Sequence, residues 1–293
     1  MYFKTLKEKC EYYRSLTDYK LMPNSYVLAM VDGHCFSKMI KNKFDKPFDD
    51  EFIRMMNETA KYLCEQIQGV KFAYTQSDEI SLLITDFDTP MTDSYFSFRL
   101  CKMQSLIASL ATAKFNQLYS VYKLSKIINN VDEIIKNGGA EISLYKELPL
   151  CTFDCKVWTV PNANDAYAWF LYRQTDCIKN SKAQTAQSFL PHKELVGLTA
   201  DEMIAKCKDV KGVDWYDYPN DRKYGRIIKK VETDMEKDLP NGQHIAFTRN
   251  IWTPVPANDL KEDDTLIREL IPEQNKGGIY STVYGNSEEI FGQ

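Results

Sequence analysis

Histidine is scarce in this chain of 293 residues: His34, His192 and His244 are the three present, and they are too dispersed to suggest a metal site. No Ser-His-Asp or Cys-His arrangement of a nucleophilic enzyme is legible. Long apolar runs are missing too. The best stretch, Ser105 to Ala113, is short and amphipathic, far below the roughly 18 uninterrupted apolar residues of a membrane helix. The N-terminal segment from Met1 to Cys10 already carries Lys4, Lys7, Glu8 and Lys9 and lacks a hydrophobic signal core. It reads as mature protein in the cytoplasm, with no membrane partner. The 8 cysteines are scattered, and Cys151 and Cys155 are not spaced as a zinc knuckle, so reduced thiols are expected rather than a disulfide framework. An excess of cations is also absent. A net charge of -4 and a pI of 5.6 count against a general nucleic-acid coat protein, whose pI usually exceeds about 9. They leave room for an enzyme that grips RNA through a local basic patch.

What is present is a chain with 44% hydrophobic residues, enough for one large domain with a core or two modest ones. Tyr26 to Val31 is a short apolar run stopped by Asp32-Gly33, which predicts a buried strand ending in a turn. Asp49 to Ile67 predicts a helix, with acids in its first turn and Phe52, Met56, Leu63 and Ile67 at helical spacing. Val70 to Tyr74 and Ile80 to Thr85 predict strands, and the polar Gln76-Ser77-Asp78-Glu79 between them predicts a hairpin tip. A long helix is expected from about Tyr95 to Tyr122, with Leu100, Met103, Ile107, Leu110, the Lys114 stem and Leu118 on its apolar face. A softer stretch around Gly138-Gly139 follows, then a strand from Leu150 to Val160, a helix from Ala166 towards Phe189, and a capping box at Thr199 and Glu202 before a short helix, Glu202 to Lys208. Mixed strands and helices indicate an α/β or α+β domain. Residues 1–240 form the expected core. The Pro- and Gly-richer residues 241–293 form an expected C-terminal extension, packed on the core or partly loose.

Two features carry chemistry. Asp32 ends a buried strand, and Asp78 sits at the hairpin tip. Two carboxylates about 4 Å apart repel by about 4 kcal/mol at an effective dielectric of about 20, so either one is protonated or cations lie between them. Mg2+ takes one or two carboxylates and completes its shell with phosphate oxygens and water. Either Asp alone is equally good turn chemistry; the phosphate signals around the pair favour the metal reading. Gly33, His34, Cys35, Phe36 and Ser37 follow the strand and offer consecutive backbone N–H groups to a triphosphate, although no Walker loop is present. Lys46 beside Pro47 is a point charge for outer phosphates. Arg99 and Lys102 share a helix face at i, i+3. Arg173, Asp176, Cys177, Asn180 and Gln184 make a polar helical stripe, either a solvated face or a ligand surface. Arg222, Lys223, Arg226, Lys229 and Lys230 fall close together, as a basic patch for a phosphate backbone or as a charged strand edge.

The runs Val31-Asp-Gly-His-Cys-Phe-Ser37, Phe44-Asp-Lys-Pro47, Phe72-Ala-Tyr-Thr-Gln-Ser-Asp-Glu-Ile-Ser81 and Phe98-Arg-Leu-Cys-Lys-Met-Gln-Ser105 resemble the tRNA-His guanylyltransferase family. Arg173-Gln-Thr-Asp-Cys-Ile-Lys-Asn-Ser181, Lys193-Glu-Leu195 and Trp215-Tyr-Asp-Tyr-Pro219 resemble its bacterial and phage branch. The resemblance covers roughly residues 1–230. It implies an α+β fold with a palm-like antiparallel sheet and flanking helices. It also implies an enzyme that activates a tRNA 5′-monophosphate with ATP or GTP and then adds nucleotides in the 3′ to 5′ direction, usually as a tetramer. By the same resemblance, Asp32, the Gly33 carbonyl and Asp78 hold two Mg2+ ions, and Asp32 and Asp78 are catalytic. Gly33 to Ser37, Lys46 and Ser77 hold the triphosphate. Arg99, Lys102, Arg173 and Asn180 meet the activating nucleotide or the tRNA 5′-phosphate. His34 stands where the family usually has Arg or Lys, and Cys177-Ile-Lys-Asn180 replaces the eukaryotic His-Ile-Asn-Asn, which favours tRNA 5′-end repair. A palm-fold nucleotide cyclase and a non-catalytic tRNA-binding module are the competing readings.

Overall fold

Capping chemistry sets the helix starts. The computed structural model describes residues 2–36, 43–89, 91–129, 150–238 and 244–274. Thr5 and Glu8 form a capping box that starts α1 (Leu6–Ser15). The Asp49 carboxylate accepts from the Phe52 amide at 2.8 Å and starts α2 (Asp50–Gln66). Its buried stripe, Phe52, Met55, Met56, Thr59, Ala60, Leu63 and Cys64, follows helical spacing. Asn162 caps α4 (Ala163–Phe189), which starts three residues before the expected Ala166 because Asn162 itself accepts from the Asp165 amide. The predicted box at Thr199 and Glu202 caps α5 (Ala200–Lys211), which runs on until Gly212 turns left-handed at φ 69. A short α6 (Asn220–Lys223) and α7 (Thr265–Leu270) follow.

The long helix α3 (Leu100–Asn129) departs from its expected form in two ways. It begins after a 3-10 turn at Tyr95–Phe98, where Phe96 and Ser97 have positive φ and break helical geometry. Its buried stripe is Met103, Ile107, Ala111, Phe115 and Tyr119, whereas Leu100, Leu110 and Leu118 pack at the margin. The predicted Met103 and Ile107 are buried as expected, and beyond them the stripe continues through Ala111, Phe115 and Tyr119 rather than through Leu110 and Leu118.

Six antiparallel strands form one sheet in the order β4-β1-β3-β2-β5-β6. They are β1 (Tyr26–His34), β2 (Val70–Gln76), β3 (Glu79–Ile84), β4 (Thr152–Val160), β5 (Arg226–Asp238) and β6 (His244–Pro256). β1 runs past the predicted stop at Asp32-Gly33, since Gly33 and His34 still pair with Phe153 and Thr152 of β4. Alternation along the strands gives two apolar faces. Val27, Ala29, Val31, Ile80, Leu82 and Ile84 pack beneath α2 and α3 with Met55, Leu63, Ile107 and Phe115. Tyr26, Leu28, Phe72, Tyr74 and Leu83 pack on the other face with Phe170, Leu260 and Ile267. β5 and β6, which lie on either side of position 240 in the sequence, pair from Arg226 with Pro256 to Asp238 with His244, and Ala257, Leu260, Ile267 and Ile271 return to the second apolar face. Gly138-Gly139 and Ser37 lie outside the described residues. No described helix is long and apolar enough to cross a membrane.

The antiparallel order has one consequence for chemistry. The end of β1, the β2–β3 tip, the start of β4 and the start of β5 all fall at the same end of the sheet.

Candidate active site

At that end four acids come together from three strands and one turn. Asp32 is in register with Glu79 on one side and with Asp154 on the other. Asp78 occupies the two-residue tip between β2 and β3, and the Gly33 amide donates to the Asp78 carbonyl at 3.1 Å, tying the end of β1 to the tip. Ser77, at φ 46, turns the chain and donates its hydroxyl to the Asp78 carboxylate at 3.0 Å. Burial pushes the Asp32 carboxyl above its ordinary range, and the Asp154 charge adds to this, while Arg173 and Lys156 pull it back. Burial likewise raises Asp78. Hydrogen bonds from its own backbone and from Ser77 oppose the rise, and the Asp32 charge reinforces it. Asp78 therefore feels the Asp32 charge.

Glu79 is buried beside them, and burial raises its carboxyl against the counter-pull of Arg173. Arg173 grips it through two bonds, Nε to Oε1 at 2.7 Å and Nη2 to Oε2 at 2.5 Å, and a third bond from Nη1 reaches Asp176 at 2.7 Å. This bidentate pair fastens α4 to the start of β3. Neither Glu79 nor Asp154 stands out as a site residue in the sequence. The available signal was an acid inside a predicted strand, as in Phe153-Asp154-Cys155, where Asp154 is exposed beside the buried Phe153.

Beside the tip lies a cavity of about 430 Å3. Phe36, Phe44 and Phe52 line its apolar side, Lys46 and Pro47 its rim, Ser77 and Asp78 the tip side, and Asn180, Gln184, Arg222 and Arg226 the remaining wall. Gln184 donates to the Pro47 carbonyl at 2.5 Å and so joins α4 to the rim. Phe36, at 1% exposure, anchors the residues after β1 against Phe52, Phe115 and Phe153. Gly33 is required there, because a Cβ would sit 2.5 Å from the Phe36 ring. His34 and Cys35 are exposed at the strand end.

A family model described as tRNAHis guanylyltransferase matches residues 7–161, more than half of the chain. The chain belongs to the tRNAHis guanylyltransferase family. It is accordingly an enzyme of the nucleotidyltransferase class. The matched stretch contains Asp32, Gly33, Lys46, Ser77, Asp78, Glu79 and Asp154. Among curated relatives, an uncharacterized protein of Acanthamoeba polyphaga mimivirus is 27% identical over 234 residues, covering 75% of this chain and 76% of that protein. A solved bacterial tRNA(His) guanylyltransferase-like protein in complex with ATP superposes with a TM-score of 0.74 at 29% identity, covering 91% of this chain and 99% of that one. A bacterial tRNA(His) guanylyltransferase-like protein in complex with GTP gives 0.68 at 27% identity, covering 91% and 98%. The likeness supports the fold read from the sequence, a mixed α and β architecture built on an antiparallel sheet.

Other sequence-selected residues of this family member fall elsewhere. Arg99 and Lys102 lie at the start of α3, by the opposite end of the sheet. There Arg99 pairs with Asp18 at 2.7 Å and Lys102 stands over the Phe96 ring at 4.4 Å. The i, i+3 spacing correctly gave a shared helix face, but it could not say which end of the sheet that face meets. Arg173 is occupied by Glu79 and Asp176, so the polar stripe of α4 is neither a solvated face nor wholly a ligand surface. The basic cluster is not one exposed strip. Lys223 is buried, donating to the Tyr216 carbonyl at 3.0 Å; Arg226 is buried at the cavity; and Arg222 pairs with Asp50 and Asp221. Lys229 and Lys230 are successive strand residues, and therefore project to opposite faces.

Among the described residues no group of three or more His, Cys, Asp or Glu side chains is placed to hold a metal ion. The donors available at the tip are oxygens: the Asp32 and Asp78 carboxylates and the backbone carbonyl of Gly33. Such a set suits a hard divalent cation that draws its remaining ligands from phosphate and water.

Proposed function

We propose that this enzyme adds nucleotides to the 5′ end of tRNA in the 3′ to 5′ direction, after ATP or GTP activates the 5′-phosphate, and that it depends on Mg2+. The observation that carries this reading is the placement of Asp32 and Asp78, both with raised carboxyl pKa, at one end of the sheet, with Asp78 lining a cavity that also presents Lys46 and Ser77. Two half-buried acids with raised carboxyl pKa, one of them raised in part by the charge of the other, favour a cation between them. Asp32, Asp78 and the Gly33 carbonyl would hold Mg2+, and the ion when bound would neutralise phosphate charge and lower the pKa of an attacking hydroxyl.

The chain's own residues account for the rest. Lys46, exposed at the rim, places a positive charge where outer phosphates enter. The Gly33–Asp78 hydrogen bond fixes the spacing of the two acids. Phe36 and Phe44 provide an apolar surface for a base or ribose. The Arg173–Glu79 pair holds the hairpin tip rigid, which keeps reacting groups aligned. Asn180 lines the cavity at the place where the eukaryotic motif would end, consistent with an end-repair substrate. Cytoplasmic location and a homotetramer complete the proposal.

The test is direct. The protein is incubated with Mg2+, ATP, labelled GTP and a 5′-truncated tRNA bearing a 5′-monophosphate. Label at the RNA 5′ end supports the proposal. Label confined to a cyclic nucleotide makes the protein a cyclase. Binding of tRNA with no Mg2+-dependent turnover makes it a non-catalytic module.

A further inference from the structure

Arg226 is the first residue of β5, and only 5% of it is exposed. Gly225 pins it there. That glycine is at φ 80, and a Cβ would lie 2.7 Å from the Tyr74 hydroxyl and 2.9 Å from the Thr75 carbonyl oxygen. The hydrogen-bond partners of the Arg226 guanidinium are neutral. Nε donates to the Asn57 amide oxygen at 2.9 Å, and Nη1 donates to the Asp221 carbonyl at 3.3 Å. Nη2 is shielded from solvent and has no partner. Among the described residues no carboxylate stands within ion-pair distance of it.

A buried guanidinium normally carries a counter-ion, because removing an ion from water costs several kcal/mol after relaxation. Arg173 and Arg222 follow that rule in this chain, each paired to two carboxylates. Arg226 does not, and burial pulls its pKa down to about 10, with the Arg222 charge pushing the same way. It is still protonated at neutral pH. The cavity it lines therefore has an uncompensated positive charge in its wall, carried by a guanidinium with one N–H that has no protein partner. A guanidinium fork with a free N–H suits a multi-oxygen anion, phosphate above all.

We propose that Arg226 is a phosphate-binding residue of the cavity, its counter-ion being a phosphoryl group of a nucleoside triphosphate or of the RNA 5′ end. The inference rests on the cavity being the nucleotide site, and it replaces the exposed basic strip as the role of this arginine. The binding energy is stored in advance: the desolvation of Arg226 is met during folding, and the ligand collects the attraction.

Isothermal titration with inorganic tripolyphosphate, GTP and guanosine, on wild type, R226Q and R226K, tests it. For R226Q, tripolyphosphate should bind about ten- to hundredfold more weakly, as for a lost charge-assisted hydrogen bond, with guanosine unchanged. R226K should fall between, keeping the charge without the fork. Unchanged tripolyphosphate affinity in R226Q together with an unchanged preference for 5′-monophosphorylated tRNA, or an equal loss for guanosine, overturns the proposal. Thermal melting guards the result. If R226Q does not fold, R226K decides by the same criterion, at a melting temperature close to wild type.

Comparing 5′-monophosphorylated with 5′-hydroxyl tRNA separates the sources. If R226Q erases the preference for the monophosphate but leaves GTP and tripolyphosphate binding intact, the RNA end is the ligand and the triphosphate arm is overturned. Failure of the transfer reading is distinguishable. A protein that never labels tRNA but loses tripolyphosphate binding in R226Q keeps this subsite. One that labels tRNA with R226Q at the wild-type KM loses it.

Discussion

Arg173 and Arg226 approach the same β2–β3 hairpin from two sides, and they meet opposite surroundings. Arg173 reaches the first residue of β3 and is answered by Glu79 and Asp176. Arg226 is in register with Thr75 of β2 and is answered by an amide oxygen and a carbonyl. Burial alone does not reveal what a charged side chain is for. The count of counter-ions does: the paired arginine fastens the scaffold, and the unpaired one awaits a ligand.

The largest effect should come from the acid that lies between the two. Asp78→Asn should lower nucleotide transfer by more than about 100-fold, since even residues that only support metal ligands cost 10- to 100-fold. It should also raise the melting temperature of the metal-free protein at neutral pH. The folded-state pKa of Asp78 is raised above its ordinary 3.8, so its contribution to stability is full below that value and is lost as pH rises through the raised one. Asn removes the loss. A melting curve in chelator across pH 4 to 8 checks this, and a variant less stable than wild type at neutral pH would contradict the electrostatic picture.

Next in size is the scaffold side. Arg173→Met should destabilise the protein by about 3–5 kcal/mol in urea unfolding, because Glu79 is left buried and unpaired. The double variant Arg173→Met with Glu79→Met should recover most of that. Arg226→Met in the ligand-free protein should cost far less, and an equal cost at both arginines would abolish the contrast between them. Gly225→Ala sharpens the β5 side: a left-handed backbone and a close approach to Tyr74 predict a loss of about 2 kcal/mol. The smallest effect is at the rim. Asp49→Ala should cost about 1 kcal/mol through the lost cap of α2, read by thermal melting.

Much of this was legible in the sequence, for reasons that can be named. Helix caps at Asp49 and Thr199, and the hairpin around Ser77-Asp78, are local, so local residues specify them. The pairing of Asp32 with Asp78 was inferred from a strand end and a turn, and the sheet brings both to one end. Strand partners are not local. Nothing in the sequence says that Asp154 lies opposite Asp32, that Glu79 faces Arg173, or that β6 lengthens the sheet. The basic cluster failed for a related reason: charge density along a chain does not record which side chains turn inward, and Arg226 and Lys223 do. For Arg99 and Lys102, sequence spacing fixed the face but not its distance from the cavity.

The hydroxyl of Tyr26 donates to the Pro272 carbonyl at 2.7 Å and accepts from the Gln274 amide at 3.1 Å, across 246 and 248 positions of chain. Tyr26 opens β1, the strand that carries Asp32 near its other end. During synthesis the residues of β1 through β4 leave the ribosome long before that partner exists. Tyr26 can pair with Val160 of β4 before then, but its hydroxyl must wait for its C-terminal partners, and contacts of such separation form late. The Asp32 end of β1 and the last-made segment of the described chain are thus joined through one strand, so an unfinished polypeptide lacks the tie that completes it.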